Sequence, residues 1–394
     1  MIVKLKMPLD STFLSQLIYD GVLYILNYVP QSSFNLNEAR LPDDFLCRAY
    51  QTMSDERVEE ISIVLTGNDK IEKFFESLKI KERPSKKTYR EMLKLLKEFC
   101  ENISINGDMI TIQAEMRGRN VFLDIPERCN LAAPQLFKVD RYTGFSTLEM
   151  NTTSQQLGLR ASPIVILIGL LGVYSSHIIT IRTLENIHHY FLFLSPDEII
   201  RLFAAGDRGR LISIYMIKEE LRELLSKVLK SSVISEVLVL EVMLNAKIIS
   251  ELKSKNLDKV SLNLFRISPE GMTYKIYETV PLSVYKEPMF HYILSKQGIK
   301  ADALCEKLQQ ALSPDGVIME ALRSFNTANK YREADFVLRG VLDLYRFVTL
   351  AEIPGLFRFM RSLEEAHRIL GEDARTQKRA ERYAHVLKDI SYVL

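Results

Sequence analysis

The segment from Phe137 to Ser176, FKVDRYTGFSTLEMNTTSQQLGLRASPIVILIGLLGVYSS, constrains the fold more than any other, because a long polar loop runs straight into a stretch that must be buried. Ile164 to Tyr174 is apolar on every side of a helical wheel, and a globular chain accommodates such a helix only in its core. The run includes two glycines and falls short of the ~18 to 20 residues that cross a bilayer. Ser162-Pro163 supplies its start, with Ser as cap and Pro at the first helical position. The loop ahead of it is therefore mounted on a rigid element.

That loop offers Lys138, Arg141 and Arg160 as cations and Tyr142 and Phe145 as stacking faces. Asn151, Thr152, Thr153, Ser154, Gln155 and Gln156 add neutral hydrogen-bonding groups. Phosphate oxygens and base edges call for this mixture. Asp140 and Glu149 are its only acids, and it has no His or Cys, so it is poorly equipped for proton transfer or metal chemistry. Long polar loops in compact domains are uncommon unless functional. Binding is the expectation, and no catalytic residue is named.

The chain of 394 residues, 47% hydrophobic and 26% charged, has the balance of a globular protein with room for two or three packed units. Its 52 basic and 50 acidic side chains leave a formal charge of +2, so affinity for nucleic acid has to come from clustering. The densest cluster includes Lys86, Lys87, Arg90, Lys94 and Lys97. On a helix from about Ser85 it reads either as a phosphate-contacting face or as an ordinary solvated one. Cys47, Cys100, Cys129 and Cys305 lie far apart with no CxxC spacing, which argues against a zinc site and a disulfide framework and suggests a reducing cytoplasm. The opening MIVKLKMPLDSTFLSQLIYDG lacks the pattern of a signal peptide and is expected to begin a folded domain.

The fold expected is α+β: a mixed body of helices and antiparallel hairpins with a helical-bundle C-terminal domain. Ile61 to Thr66 reads as a short buried strand, Asn106-Gly107 as a tight hairpin turn, and NVFLDIP as a further strand. HIITIRT with IHHYFLFL forms a second hairpin, and KVSLNLFRI with MTYKIYETV a third, joined at Ser268 to Gly271. Helices fill Ser195 to Ser254, and helical periodicity dominates the last hundred residues. The divisions expected are an α+β domain over 1–130, a central α+β domain over 131–285 with its binding loop at 137–160, and a helical domain over 286–394.

Three local patterns have a functional and a structural reading. His188-His189, on a strand, would point to opposite faces and could not hold one metal. Gly206-Asp207-Arg208-Gly209-Arg210 is a phosphate-gripping turn or a helix-ending one. Arg117-Gly118-Arg119-Asn120 is a basic finger or a plain turn. HExxH, Walker A and dinucleotide glycine motifs are absent, so no cofactor or metal ligand is assigned.

DRYTGFSTLE, the threonine and glutamine tract after it, and SPIVILIGLLGVYSS together resemble the large subunit of type I CRISPR surveillance complexes (Cascade), in particular the short archaeal Cas-eight-a proteins of type I-A. The CxxC pair of many relatives is absent. The resemblance implies a non-catalytic subunit of a crRNA-guided antiviral ribonucleoprotein that recognises the protospacer-adjacent motif in double-stranded target DNA and recruits the Cas-three helicase-nuclease. Its implied partners are the Cas-five and Cas-seven backbone, the small subunit and crRNA, with no membrane involved. The residues expected to contact nucleic acid are Lys138, Arg141, Tyr142, Asn151, Gln155, Gln156 and Arg160, together with Lys86, Lys87 and Arg90. Two other readings are a protein-interaction scaffold within a ribonucleoprotein and a metal-dependent nuclease built from dispersed carboxylates.

Overall fold

The computed structural model describes residues 1–103, 109–118, 120–142, 158–182, 186–230, 234–326 and 330–394. By packing, the chain divides into two compact units, each assembled from two segments: Met1–Lys218 with Ser261–Pro281, and Glu219–Val260 with Leu282–Leu394.

The first unit opens with β1 (Ile2–Leu5), α1 (Phe13–Tyr28), β2 (Ser33–Phe34) and β3 (Glu38–Arg40), followed by α2 (Phe45–Gln51), α3 (Asp55–Glu60), α4 (Ile71–Ser77) and α5 (Tyr89–Glu98). Short strands follow: β4 (Met109–Ile112), β5 (Glu115–Arg117), β6 (Asn120–Phe122), β7 (Leu131–Ala132) and β8 (Gly158–Ala161). A 3-10 segment, Gln135–Tyr142, lies between the last two. Next come α6 (Pro163–Ser176), β9 (His177–Arg182), β10 (Ile187–Leu194), α7 (Pro196–Ala205) and α8 (Arg208–Leu229). Beyond α9 (Ser235–Met243) and α10 (Ala246–Ser254) the chain forms β11 (Lys259–Glu270) and β12 (Thr273–Tyr285). Six helices complete it: α11 (Met289–Lys296), α12 (Ala301–Ala311), α13 (Val317–Arg323), α14 (Ala334–Leu350), α15 (Ile353–Gly371) and α16 (Gln377–Ser391).

The architecture is α+β, and the described residues form three four-stranded sheets in the orders β2-β3-β1-β4, β12-β11-β10-β9 and β5-β6-β8-β7. In the third sheet β6 and β8 run parallel, and β5 and β7 flank them antiparallel. Helix α6 forms where its sequence demands it. Ser162 caps it by accepting the Val165 N–H, Pro163 occupies its first turn, and every residue from Val165 to Ser176 is buried. It crosses α1 at backbone contact, since a Cβ on Gly21 or Gly172 would overlap the facing Ile168 or Leu17 carbonyl. Inside this core the Lys218 ammonium donates to Asp20 Oδ1 at 2.5 Å and to Ser175 Oγ at 3.2 Å, fully removed from solvent.

The second unit is built around buried apolar stripes. Val337, Val341, Leu344 and Phe347 of α14 belong to the same core as Leu356, Phe359, Leu363 and Ala366 of α15. Gly355 allows the close approach, because a Cβ there would strike the Asp343 carbonyl oxygen.

The hairpin of β9 and β10 forms in antiparallel register, and β11 pairs with β12. Their turn is corrected: β11 runs on through Ser268-Pro269 to Glu270, and Gly271, at φ +61°, carries the reversal. Ile61 to Thr66 is also corrected. Ile61, Ile63 and Leu65 are buried in alternation as a strand's would be, but the backbone pairs only at the single bridge Val64 to Thr88. The alternation reports burial and not a ladder. Asn106-Gly107 lies outside the described residues, and β4 pairs in parallel with β1. Contrary to the reading of cysteine spacing, Cys47 and Cys100 form a disulfide, with Cα atoms 4.7 Å apart across a sequence separation of 53.

Candidate functional site

Lys70 stands at the residue before α4, with no side-chain cap, and Lys73 lies in its first turn. Asp69 fixes this end of the helix beside the 3-10 segment: its Oδ1 accepts the Gln135 N–H at 2.7 Å, and its Oδ2 accepts the Thr66 N–H at 2.8 Å and the Thr66 hydroxyl at 3.0 Å. Lys138 on that segment, Arg160 on β8, Asn120 on β6 and Asn130 beside β7 complete the lining of a cleft of about 260 Å³. The register of the parallel pair sets Asn120 opposite Gly158 and Phe122 opposite Arg160. Lys138 is buried, whereas Lys70, Lys73 and Arg160 are exposed.

Among the described residues this lining holds four cations and no carboxylate. Asp140, the acid of the 3-10 segment, is engaged elsewhere: its two oxygens accept the Phe13 and Leu14 N–H groups at 2.8 and 2.9 Å, at the start of α1. Burial raises its carboxyl group above the usual range, and these two helix amides offset only part of that rise. The cleft thus combines concentrated positive charge with two side-chain amides and the Phe74 ring. It can hold a multi-oxygen anion, and its lining contains no acid, thiol or imidazole for chemistry.

Of the residues expected from sequence, Lys138 and Arg160 meet in this cleft. Asn151, Gln155 and Gln156 lie outside the described residues, as do the side chains of Arg141 and Tyr142. The basic cluster divides between a loop and a helix. Lys86 and Lys87 precede α5, whose first residue is Tyr89. On the helix, Arg90 pairs with Glu59 at 3.1 Å, Lys94 with the same Glu59, and Lys97 with Asp55 at 2.6 Å. Its cations are answered by the acids of α3. Lys70 and Lys73 were missed, because Asp69, Glu72 and Glu76 dilute them along the chain although no acid joins them in the lining.

The other motifs take their structural readings. Gly206, at φ +60°, ends α7, and Asp207 Oδ1 accepts the Gly209 N–H at 2.8 Å to begin α8. Arg208 donates to Ser32 Oγ and the Val29 carbonyl. Arg117 pairs with Glu115 and Glu127, and Arg119 lies outside the described residues. His188 bonds Ser268 and His189 bonds Thr180, and burial lowers His189 to about 4.

One constellation in the second unit escaped the sequence: Cys305 Sγ lies 3.3 Å from His291 Nε2, and His291 Nδ1 lies 3.9 Å from Asp302, at an open groove of about 840 Å³. The thiol is only 1% exposed, and burial pushes it up to about 12, so it offers no thiolate at neutral pH. Among the described residues no group of three or more His, Cys, Asp or Glu side chains could hold a metal ion, and no helix is long and apolar enough to cross a membrane.

No protein-family model and no solved structure matches the chain. An uncharacterized protein of Archaeoglobus fulgidus is 41% identical to it over 394 residues, covering 99% of both chains. The chain belongs to that protein's family. The family is thus defined over both compact units, with the cleft and the helical C-terminal region inside its span.

Proposed function

We propose that this protein binds nucleic acid through the cleft between α4 and the third sheet, as the non-catalytic large subunit of a crRNA-guided type I CRISPR effector complex. The observation that carries the reading is a lining with three exposed cations, Lys70, Lys73 and Arg160, and no carboxylate among the described residues. A phosphodiester backbone supplies the repeated anionic oxygens that such a lining favours. The resemblance of residues 137 to 176 to Cascade large subunits supports the same reading, because that segment includes the cleft residues Lys138 and Arg160. In that role the subunit contacts target DNA beside the protospacer-adjacent motif, guide pairing reads the rest, and the Cas-three helicase-nuclease is recruited afterwards.

The test is binding of the purified chain to labelled oligonucleotides over a salt series, alone and with crRNA and the candidate partner subunits. K73A and R160A should weaken binding to all sequences alike and lower the salt slope by about 1 each. K94A and K97A, which lose only ion-paired cations, should leave the slope unchanged. Equal effects of the two pairs, or no binding in any assembly, would refute the reading.

A further inference from the structure

Phe74, Leu131 and Leu159, all buried, form the floor of the cleft, with the buried Lys138 beside them. Lys70, Lys73, Asn130 and Arg160 stand exposed around its mouth, and Asn120 is half-buried. The volume of about 260 Å³ is below the ~300 to 1,000 Å³ of a pocket for a whole drug-sized ligand. One phosphate with part of its sugar fills such a space, so the charges around it act on a single group and not on a run of phosphates along a groove.

Those charges are uncompensated. Among the described residues no acid forms an ion pair with Lys70, Lys73 or Arg160, whereas Glu59 and Asp55 answer the cations of α5. A phosphodiester within a strand carries a single negative charge on its two unshared oxygens. A phosphomonoester at a strand's end carries about 1.5 to 2 charges at pH 7, spread over three oxygens. Three exposed cations around one small space attract the second group more strongly, in proportion to its charge. The Asn120 and Asn130 amides supply neutral donors for the additional oxygen.

Resting on the proposed nucleic-acid reading, we infer that the cleft takes the phosphorylated end of a strand, its terminal phosphomonoester seated among Lys70, Lys73 and Arg160. A 5′ and a 3′ phosphate share this chemistry. The groups facing the phosphate are Lys70 and Lys73 from α4, Lys138 from the 3-10 segment and Arg160 from β8, while β6 and the chain beside β7 offer Asn120 and Asn130. None of them is an acid, thiol or imidazole. A change in end preference across mildly acidic pH therefore belongs to the ligand, whose second ionisation falls at about pH 6.

The experiment is fluorescence anisotropy with short, internally labelled oligothymidines that end in hydroxyls, in a 5′ phosphate or in a 3′ phosphate. At pH 7.5 a terminal phosphate should tighten binding about tenfold over the hydroxyl-ended strand, the worth of one added charge-assisted hydrogen bond, and a gain confined to one end names the source. At pH 5.5 that ratio should fall about threefold as the phosphate takes up a proton. K73A and R160A, at exposed positions, should each shrink the ratio, and K94A, which loses an ion-paired cation, should leave it unchanged. Equal binding of all three strands, a ratio indifferent to pH, or one that survives both cleft variants would overturn the inference and leave the cleft reading intact. Failure of every oligonucleotide to bind would overturn both.

Discussion

Glu241 of α9 is 7% exposed, and burial raises its carboxyl group to about 7 from 4.5. Below about pH 4.5 it is protonated in the folded and the unfolded chain alike. Between 4.5 and 7 only the unfolded chain ionises, so stability falls as pH rises, and above 7 the loss is constant at roughly 3 kcal/mol. E241Q should therefore be more stable than the native protein at pH 8 by about that amount and equal to it at pH 4, as denaturant titrations at the two pH values would show. Lys218 is the opposite case, a buried charge already answered by Asp20. K218M leaves that carboxylate buried without its cation and should cost about 3 to 5 kcal/mol, while D20L/K218M together should recover most of the loss.

At the scale of elements, the crossing of α1 and α6 organises the first unit. Because the facing atoms at Gly21 and Gly172 are backbone, a methyl group cannot be accommodated by a side-chain turn. G172A should lower stability by about 3 kcal/mol and shift the melting temperature down by several degrees, readable by calorimetry. Helix α6 was legible in sequence because cap, proline and all-round apolarity are local signals. So were the hairpin of β9 and β10 and the α+β class. Ile61 to Thr66 misled because burial in alternation and pairing in a ladder are different facts that share one pattern. Lys138 and Arg160 were legible as cations on a polar loop. Lys70 and Lys73 were not, since what isolates them from acids is the packing of α4 on a sheet whose strands come from elsewhere.

Over the whole molecule, charge is nearly balanced, so the cleft's exposed cations, Lys70, Lys73 and Arg160, have to supply the electrostatic attraction. If they do, affinity should drop about twenty- to fortyfold between 50 and 200 mM salt, and a much steeper fall would indicate contacts beyond the cleft. The disulfide acts at the same scale. Closing a loop of 53 residues contributes about 4 kcal/mol in the chain-entropy picture, so reduction should lower the melting temperature, as scans with and without reductant would show. The loop it closes contains all of α3, α4 and α5, and hence both lysines of one cleft wall. Two preparations of the same chain, one kept under thiol and one not, are then different reagents: the second presents Lys70 and Lys73 on a tethered wall, and a binding constant has meaning only alongside the redox history of the sample.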